Sequence, residues 1–287
     1  MDHLWYSDNA MWDQPANGKT YSIGSLTFDG GRVGGSIQAE LGPVDIVQFA
    51  KERLGFEVQA DQMGFLKSDA KRGLVNCSRQ WGKSTVAAAK AIYRAWTRPG
   101  SLVLVASPTA RQSGEFMFKV RELAGAMGWR LRGDGFNKLS LLFPNGSRIV
   151  GLPGKEAYIR SFSKVSMLII DEAARVPNAV YKALRPMLSL GRGDLWALST
   201  PMGKRGFFYD SFEYGGERWT RFRVPATECP RIPPEFLEEE RESMGTDWVR
   251  QEYLCEFLGW GGELFDRQLV EAALSDDLDA LVFGGKR

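Results

Sequence analysis

The sequence predicts an α/β fold with an open, mostly parallel sheet, and two observations carry this prediction. Short apolar runs alternate with segments of helical periodicity, which is the order of elements when parallel strands are joined by helical crossovers. The runs contain few polar residues, as expected for strands that are buried on both faces. The predicted strands are LVNC (74–77), SLVLVAS (101–107), VSMLII (165–170) and DLWALST (194–200).

Amphipathic helices are predicted before and between these strands, because apolar residues recur there at helical spacing. The helices cover residues 43–55, 83–98, 113–128 and 178–189. A hairpin-like turn is predicted at Pro144-Asn145-Gly146, and Pro186 is predicted to break the last helix.

The pattern divides the chain into four predicted segments. Residues 1–44 form an irregular N-terminal extension, and residues 45–225 hold the α/β core. Two helices, one highly charged, predict a small helical subdomain over residues 226–262. Residues 263–287 form a linker or tail.

The composition excludes several kinds of site. His3 is the only histidine among the 287 residues, so histidine-based zinc sites, Ser-His-Asp triads and Cys-His dyads are not expected. Three widely spaced cysteines fit a reducing compartment better than a disulfide framework. Because the chain shows no bilayer-spanning run and no signal peptide, we expect it in the cytoplasm without membrane contact.

Charge is distributed unevenly although the net charge is only +2. Residues 226–287 carry 15 acidic and 6 basic side chains, a net charge of −9, which leaves +11 on residues 1–225. A basic body suits contact with nucleic-acid phosphates, and the alternative is mutual attraction of the two segments. Residues 111–165 hold ten Lys/Arg against four Asp/Glu and are the predicted DNA face or subunit interface.

The motif CSRQWGKST (77–85) lies between a predicted strand and a predicted helix, where a loop can wrap a phosphate group. Gly82 allows close backbone approach, Lys83 supplies charge to the β- and γ-phosphates, and the Ser84 hydroxyl can ligate Mg²⁺. The usual pattern has Gly in place of Cys77, so the bend must form without it. The predicted nucleotide-contacting residues are Ser78, Arg79, Gln80, Trp81, Gly82, Lys83, Ser84 and Thr85.

Two adjacent acids, Asp171 and Glu172, end the predicted strand 165–170, 88 residues after Lys83. A carboxylate at a strand tip can hold the Mg²⁺ that bridges nucleotide phosphates, and its neighbour can deprotonate an attacking water. The alternative is an ordinary turn with Asp171 as a helix N-cap. Combined with Lys83, the pair predicts a P-loop NTPase of the RecA/ASCE-like class.

ALSTP (197–201) places Ser199, Thr200 and Pro201 at another strand tip, which in a parallel sheet could lie beside Asp171. Its hydroxyls could sense the γ-phosphate, and the alternative is a Ser/Thr-rich turn. The guanine motif N-K-x-D is incomplete at residues 137–140, so ATP is the predicted nucleotide. Gln62 can read the adenine edge and Phe56 can stack on the ring, although Gln62 can equally be an ordinary surface residue.

These motifs, in this order, together with residues 223–259, resemble the motor domain of phage terminase large subunits; the resemblance covers about residues 45–265. It implies an ATP-driven motor that threads double-stranded DNA through a portal into a capsid, in the cytoplasm of the infected host cell. It also implies a homo-oligomeric ring, a pentamer on the portal, with the portal protein and the small terminase subunit as partners.

By this resemblance, Lys83 and Ser84 hold phosphate and metal, Asp171 binds Mg²⁺, and Glu172 is the catalytic carboxylate. Residues 199–201 couple hydrolysis to motion. Gln62 matches an adenine-recognising glutamine, and residues 226–262 match a lid subdomain.

An arginine is expected to neutralise charge in the transition state of phosphoryl transfer. Arg79 could do so within its own chain, whereas Arg160 matches a family arginine that reaches the neighbouring subunit's ATP. A surface arginine or a DNA-phosphate contact is the alternative for Arg160.

The chain departs from the family pattern after residue 262, because no strand follows to present Asp276, Asp277 and Asp279 as nuclease acids. DNA cutting is therefore expected from a separate polypeptide or a missing portion. Two other functions stay open at this level: a helicase-like DNA-dependent ATPase and a nucleotide-gated scaffold without turnover.

Overall fold

The computed structural model describes residues 45–128, 131–135, 139–152 and 162–259, together with the backbone of residues 21–23 and 26–28. The chain forms two compact units, Met1–Val44 and Asp45–Arg287. In the first unit, strands β1 (Tyr21–Ile23) and β2 (Leu26–Phe28) pair antiparallel. The sequence analysis predicts no strands in this segment.

The second unit contains a seven-stranded sheet with the order β5-β6-β4-β7-β8-β3-β9. Every described pair in it is parallel except β5–β6, which confirms the predicted α/β class. The strands are β3 (Arg72–Cys77), β4 (Leu102–Ala106), β5 (Ser140–Leu142), β6 (Arg148–Leu152), β7 (Met167–Asp171), β8 (Asp194–Ser199) and β9 (Thr220–Val224).

Strand β8 lies between β3 and β7. It therefore separates the strand that leads into the CSRQWGKST loop from the strand that ends at Asp171. In the register, Asp171 is paired with Leu198, and Asn76 is paired with Ser199. The tips of β3, β7 and β8 therefore lie at one edge of the sheet, which confirms that the ALSTP tip is next to the Asp171 tip.

Helices flank the sheet, and several end where the sequence predicts. The side chain of Asp45 caps the first helix by accepting hydrogen bonds from the amides of Val47 and Gln48, and Gly55 ends it in the left-handed conformation. The helices are α1 (Ile46–Leu54), α2 (Ala60–Lys67), α3 (Lys83–Thr97), α4 (Ala110–Gly125), α5 (Asn178–Leu184), α6 (Gly206–Tyr214), α7 (Pro234–Met244) and α8 (Thr246–Glu252). None in the described part of the chain has the length and apolar character needed to cross a membrane.

In the second unit, one strand and two helices were not predicted, and each has a weak sequence signal. Strand β9 lies at the edge of the sheet, and most of its residues are partly or fully exposed, so it has no apolar run. Helix α2 contains Gly64, which lowers helix propensity. Helix α6 is rich in aromatic residues, which are common in strands as well as helices.

A close contact between the neighbouring strands β3 and β8 makes Gly73 a testable position. A Cβ atom built on Gly73 would overlap the ring of Trp196, a fully buried side chain that also packs edge-on against Phe65. We expect Gly73→Ala to lower the free energy of unfolding by about 3 kcal/mol, because an overpacked core must shift its side chains and backbone.

Thermal or denaturant unfolding measures this effect, and Gly125→Ala is the matched control. Gly125 lies in α4, and a Cβ there has no heavy atom within 4 Å. The control is expected to be neutral or slightly stabilising. Equal stabilities of the two variants would show that Trp196 does not pack on Gly73.

Candidate functional site

The loop between β3 and α3 forms one wall of the site. Gln80 and Gly82 both have positive φ, 61° and 87°, so the chain turns sharply before α3 begins at Lys83. A Cβ on Gly82 would also make a tight contact, 3.2 Å from Nε2 of Gln62. Cys77 belongs to β3 and is paired with Val224 in the sheet, so its backbone is extended. The bend therefore starts after Cys77, and no glycine is needed at that position.

Four predicted residues converge at the C-terminal edge of the sheet. Nζ of Lys83 is 2.8 Å from Oε1 of Glu172. The Ser84 hydroxyl donates to Oδ2 of Asp171 at 3.1 Å. Asp171 lies at the tip of β7, and Glu172 follows it in the left-handed conformation with φ 53°. The ammonium of Lys83 and the carboxylates of Asp171 and Glu172 therefore lie close together.

The electrostatics of this cluster favour a bound cation. Burial raises the pKa of Asp171 to about 6, Glu172 adds to the increase, and the Lys83 ammonium opposes it. Burial also disfavours charge on Lys83, yet Glu172 and Asp171 hold its pKa above the usual value. A divalent cation beside Asp171 would stabilise its charged form.

The donors present fit Mg²⁺ in particular. Ser84 and Asp171 offer one hydroxyl and one carboxylate, which are hard oxygen ligands. The described residues include no group of three or more His, Cys, Asp or Glu that could hold a metal ion. Mg²⁺ at nucleotide sites commonly uses one or two protein oxygens, with water and phosphate completing its shell, so this small donor set is sufficient.

A second layer of ion pairs surrounds Glu172. Arg175 donates from one guanidinium nitrogen to Oε2 of Glu172 at 3.1 Å and to Oγ1 of Thr200 at 3.0 Å. Its other terminal nitrogen donates to Oε1 of Glu252 at 3.1 Å. Glu252 lies on α8, is 1% exposed, and also accepts from Nε of Arg79 at 2.8 Å. One buried carboxylate of α8 therefore binds two arginines of the site.

Residues of the loop, of α3 and α4, and of the tips of β7 and β8 line a strongly cationic cavity of about 380 Å³. Its lining includes four Lys or Arg side chains and one carboxylate, a balance that suits a polyanion such as a triphosphate. The lining residues are Arg79, Gln80, Gly82, Lys83, Ser84, Gln112, Lys119, Glu172, Arg175 and Thr200.

Some predicted loop residues lie behind this cavity. Trp81 is fully buried and packs edge-on against Phe65, with ring centroids 6.2 Å apart. Ser78 is also buried, and its Oγ is 3.7 Å from Sγ of Cys229. The side chains of Ser78 and Trp81 therefore anchor the loop to the core. Thr85 lies at the start of α3, where Nζ of Lys119 is 3.5 Å from its Oγ1.

Gln62 makes contacts that the sequence does not predict. Its Nε2 donates to the carbonyl of Trp81 at 2.8 Å, and its Oε1 accepts from the amide of Gln59 at 3.3 Å. Gln62 is buried, so the alternative of an ordinary surface glutamine is wrong. In this structure its amide supports the loop, and adenine recognition stays a prediction. Phe56 is half-buried and is not part of the described lining of the cavity.

The three residues at the tip of β8 contribute unequally to the cavity. Ser199, Thr200 and Pro201 are all buried, and Thr200 alone lines the cavity. Oγ of Ser199 has no hydrogen-bond partner among the described residues. Arg160 lies outside the described residues, as do Asp276, Asp277 and Asp279.

Four residues of the site were not predicted from the sequence: Arg175, Glu252, Lys119 and Gln112. Arg175 has a local signal, because it follows Glu172 by three residues and the two side chains form an ion pair. Glu252 approaches the site from 80 residues further along the chain, so no short pattern reveals it. Lys119 and Gln112 lie on α4, where polar residues are usually solvent-facing.

The inserted strand β8, the phosphate-binding type of loop and the paired acids at the tip of β7 define a P-loop NTPase fold. A family model of the terminase large subunit, T4-like virus type, N-terminal, matches residues 74–272. The chain therefore belongs to the terminase large subunit family.

Individual relatives agree with this assignment. The terminase large subunit of Thermus virus P23-45 is 27% identical over 250 residues, which covers 75% of this chain and 51% of that protein. The chain thus spans about half the length of the curated relative. The large terminase ATPase domain of Thermus phage P74-26 is similar in structure, with 25% identity and a TM-score of 0.66 over 76% of this chain and 100% of that domain. The large terminase of another thermophilic bacteriophage, solved in complex with ADP, shares the fold at 14% identity, with a TM-score of 0.60 over 69% of this chain and 53% of that one.

Proposed function

We propose that this chain is the ATP-hydrolysing motor domain of a phage terminase large subunit and that it drives double-stranded DNA through a portal into a procapsid. The observation that carries the proposal is that Lys83, Ser84 and Glu172 line one cationic cavity, while Asp171 accepts a hydrogen bond from Ser84 at 3.1 Å. A triphosphate needs cations, a metal-holding oxygen pair and a base, and these residues supply all three.

Each residue has one task in the proposed reaction. Lys83 leaves Glu172 and binds the β- and γ-phosphates of ATP, which frees Oε1 of Glu172. Glu172 then orients a water molecule and accepts its proton as the water oxygen bonds to the γ-phosphorus. The bond between the γ-phosphorus and the oxygen that bridges to the β-phosphate breaks, and ADP leaves with the bond electrons, so the products are ADP and inorganic phosphate. Ser84 and Asp171 would hold Mg²⁺, which supplies positive charge to the phosphate oxygens when bound.

An arginine completes the proposed site. Arg79 lines the cavity, but Glu252 holds its side chain and the ring of Trp248 lies 5.5 Å from it, so Arg79 must leave both to act in its own chain. Arg160 of a neighbouring subunit is the second candidate. Residues 199–201 relay the state of the γ-phosphate, because Thr200 is both at the cavity and in contact with Arg175.

The proposed setting is a homo-oligomeric ring on the portal, a pentamer, with the small terminase subunit as a further partner, in the cytoplasm of the infected cell. Residues 226–262 act as a lid, since α8 brings Glu252 into contact with Arg79 and Arg175. Residues 263–287 are the proposed linker or tail that follows the lid.

Phosphate release with and without linear double-stranded DNA tests this function. We expect Mg²⁺-dependent ATP turnover that DNA stimulates at low salt, with the stimulation declining steeply as salt rises, because phosphate contacts release counterions. A rate of ATP hydrolysis that DNA does not change at any salt concentration would indicate an ATPase with another function. Nucleotide binding without any phosphate release would indicate a nucleotide-gated scaffold.

A further inference from the structure

Arg175 contacts three separate elements through one guanidinium group. It reaches Glu172 beyond the tip of β7, Thr200 beyond the tip of β8 and Glu252 on α8, each at 3.0–3.1 Å. Its side chain is 27% exposed and lines the nucleotide cavity. A planar guanidinium with several fixed donors can bridge three acceptors in this way, whereas a lysine ammonium cannot match the same geometry.

We infer that Arg175 is a positioning residue that holds Glu172 in the orientation needed for water attack and ties that orientation to Thr200. The inference rests on the proposed function, because it concerns the same hydrolytic step. Nothing in the loop motif or in the paired acids assigns a task to Arg175.

The backbone of Glu172 has an unusual conformation. Its φ of 53° is in the left-handed region, which is strained for a residue other than glycine. Such a conformation persists only where the surroundings hold it. In the described structure two cations do so, Lys83 on Oε1 and Arg175 on Oε2.

Binding of a triphosphate would change the ion pairs of Glu172. Lys83 lies directly after the phosphate-binding loop and lines the cavity. A bound nucleotide would therefore compete with Glu172 for the Lys83 ammonium. Arg175 is then the remaining cation paired with Glu172 in the described structure. Because Arg175 occupies Oε2, it leaves Oε1 available for water.

Arg175 is itself held in place by Glu252. The carboxylate of Glu252 is buried, and Oε1 accepts from Arg175 while Oε2 accepts from Arg79. This anchor fixes one end of the guanidinium, so its other end is aimed at Glu172 and Thr200. A displacement of Glu172 or of the β8 tip would therefore be transmitted to α8 through Arg175.

Steady-state kinetics of Arg175→Gln and Arg175→Lys test the inference. We expect Arg175→Gln to lower kcat about 10- to 100-fold, because a small misplacement of a catalytic group has this effect. KM for ATP and the Kd for ADP with Mg²⁺ should change less than about threefold, since Lys83 and Ser84 still hold the phosphates. Arg175→Lys is expected to restore part of kcat, because it keeps one charged donor near Glu172.

Arg241→Gln is the matched control. Arg241 forms an ion pair with Glu238 at the same three-residue spacing, but on the exposed surface of α7. We expect its kcat and KM to equal those of the unmodified chain. The unfolding temperature of every variant is measured, so that a purely structural effect of Arg175 appears as lost stability without a selective loss of kcat.

Each outcome has a distinct meaning. A selective loss of kcat with partial rescue by lysine supports the inference. An unchanged kcat in Arg175→Gln, or a loss that appears mainly in KM or in stability, overturns it while the proposed function stands. Absence of turnover in both the unmodified chain and Arg241→Gln overturns the proposed function and the inference with it.

Discussion

The variant Glu172→Gln is expected to lose ATP turnover, with kcat lowered by about 10²- to 10⁴-fold, the range of general-base catalysis. The amide has nearly the same shape as the carboxylate but cannot accept the proton of an attacking water. Glutamine also releases Lys83 from its 2.8 Å ion pair, which leaves the ammonium available to phosphate. Nucleotide affinity should therefore be equal to or tighter than that of the unmodified chain.

Phosphate release and calorimetric titration with ADP and Mg²⁺ measure the two quantities separately. Glu238→Gln is the control, because it removes an exposed carboxylate that is also paired with an arginine three residues away. It should leave both quantities unchanged. Full turnover by Glu172→Gln would remove Glu172 from the reaction, and weaker nucleotide binding would show that its main role is in binding.

The variant Lys83→Ala is expected to lose nucleotide affinity by about 2–4 kcal/mol, the usual effect of removing one partner of a buried charged hydrogen bond. This corresponds to roughly a 30- to 1,000-fold higher Kd for ADP with Mg²⁺. Two changes add up here, because the phosphates lose a cation and Glu172 is left near them with one charge partner fewer.

Lys51→Ala is the control for this variant. Lys51 is an exposed lysine of α1 whose ion pair with Glu57 is on the surface, so its removal should not change affinity. Calorimetric titration measures both variants. An affinity of Lys83→Ala within threefold of the unmodified value would show that the loop does not hold the phosphates.

The central strands were predictable because burial on both faces leaves a plain apolar signal. Strands β4, β7 and β8 all follow from runs of this kind, and β7 ends at the predicted acid. Strand β9 escaped prediction because an edge strand needs fewer apolar residues. The position of β8 between β3 and β7 is a matter of strand order in the sheet. The apolar pattern of the sequence was consistent with this order but did not require it.

The candidate site was predictable where its residues are local in sequence. Lys83 and Ser84 belong to one loop, and Asp171 and Glu172 to one strand tip, so short motifs reveal them. Glu252 depends on the approach of α8 to the sheet, which no short motif encodes. Arg175 has a local signal, its position three residues after Glu172, but its contact with Glu252 does not follow from that spacing. Gln62 is a different case, because the sequence suggested it for adenine recognition. In the structure its side-chain amide donates to the Trp81 carbonyl and supports the loop.

A crystal structure of this chain with Mg²⁺ and ATP-γ-S is the most direct measurement of the central claim. The account predicts the triphosphate in the cavity, the Lys83 ammonium moved from Glu172 to the β- and γ-phosphates, and Mg²⁺ beside Ser84 and Asp171. A triphosphate bound elsewhere, or Lys83 still paired with Glu172 while the nucleotide is bound, would contradict it.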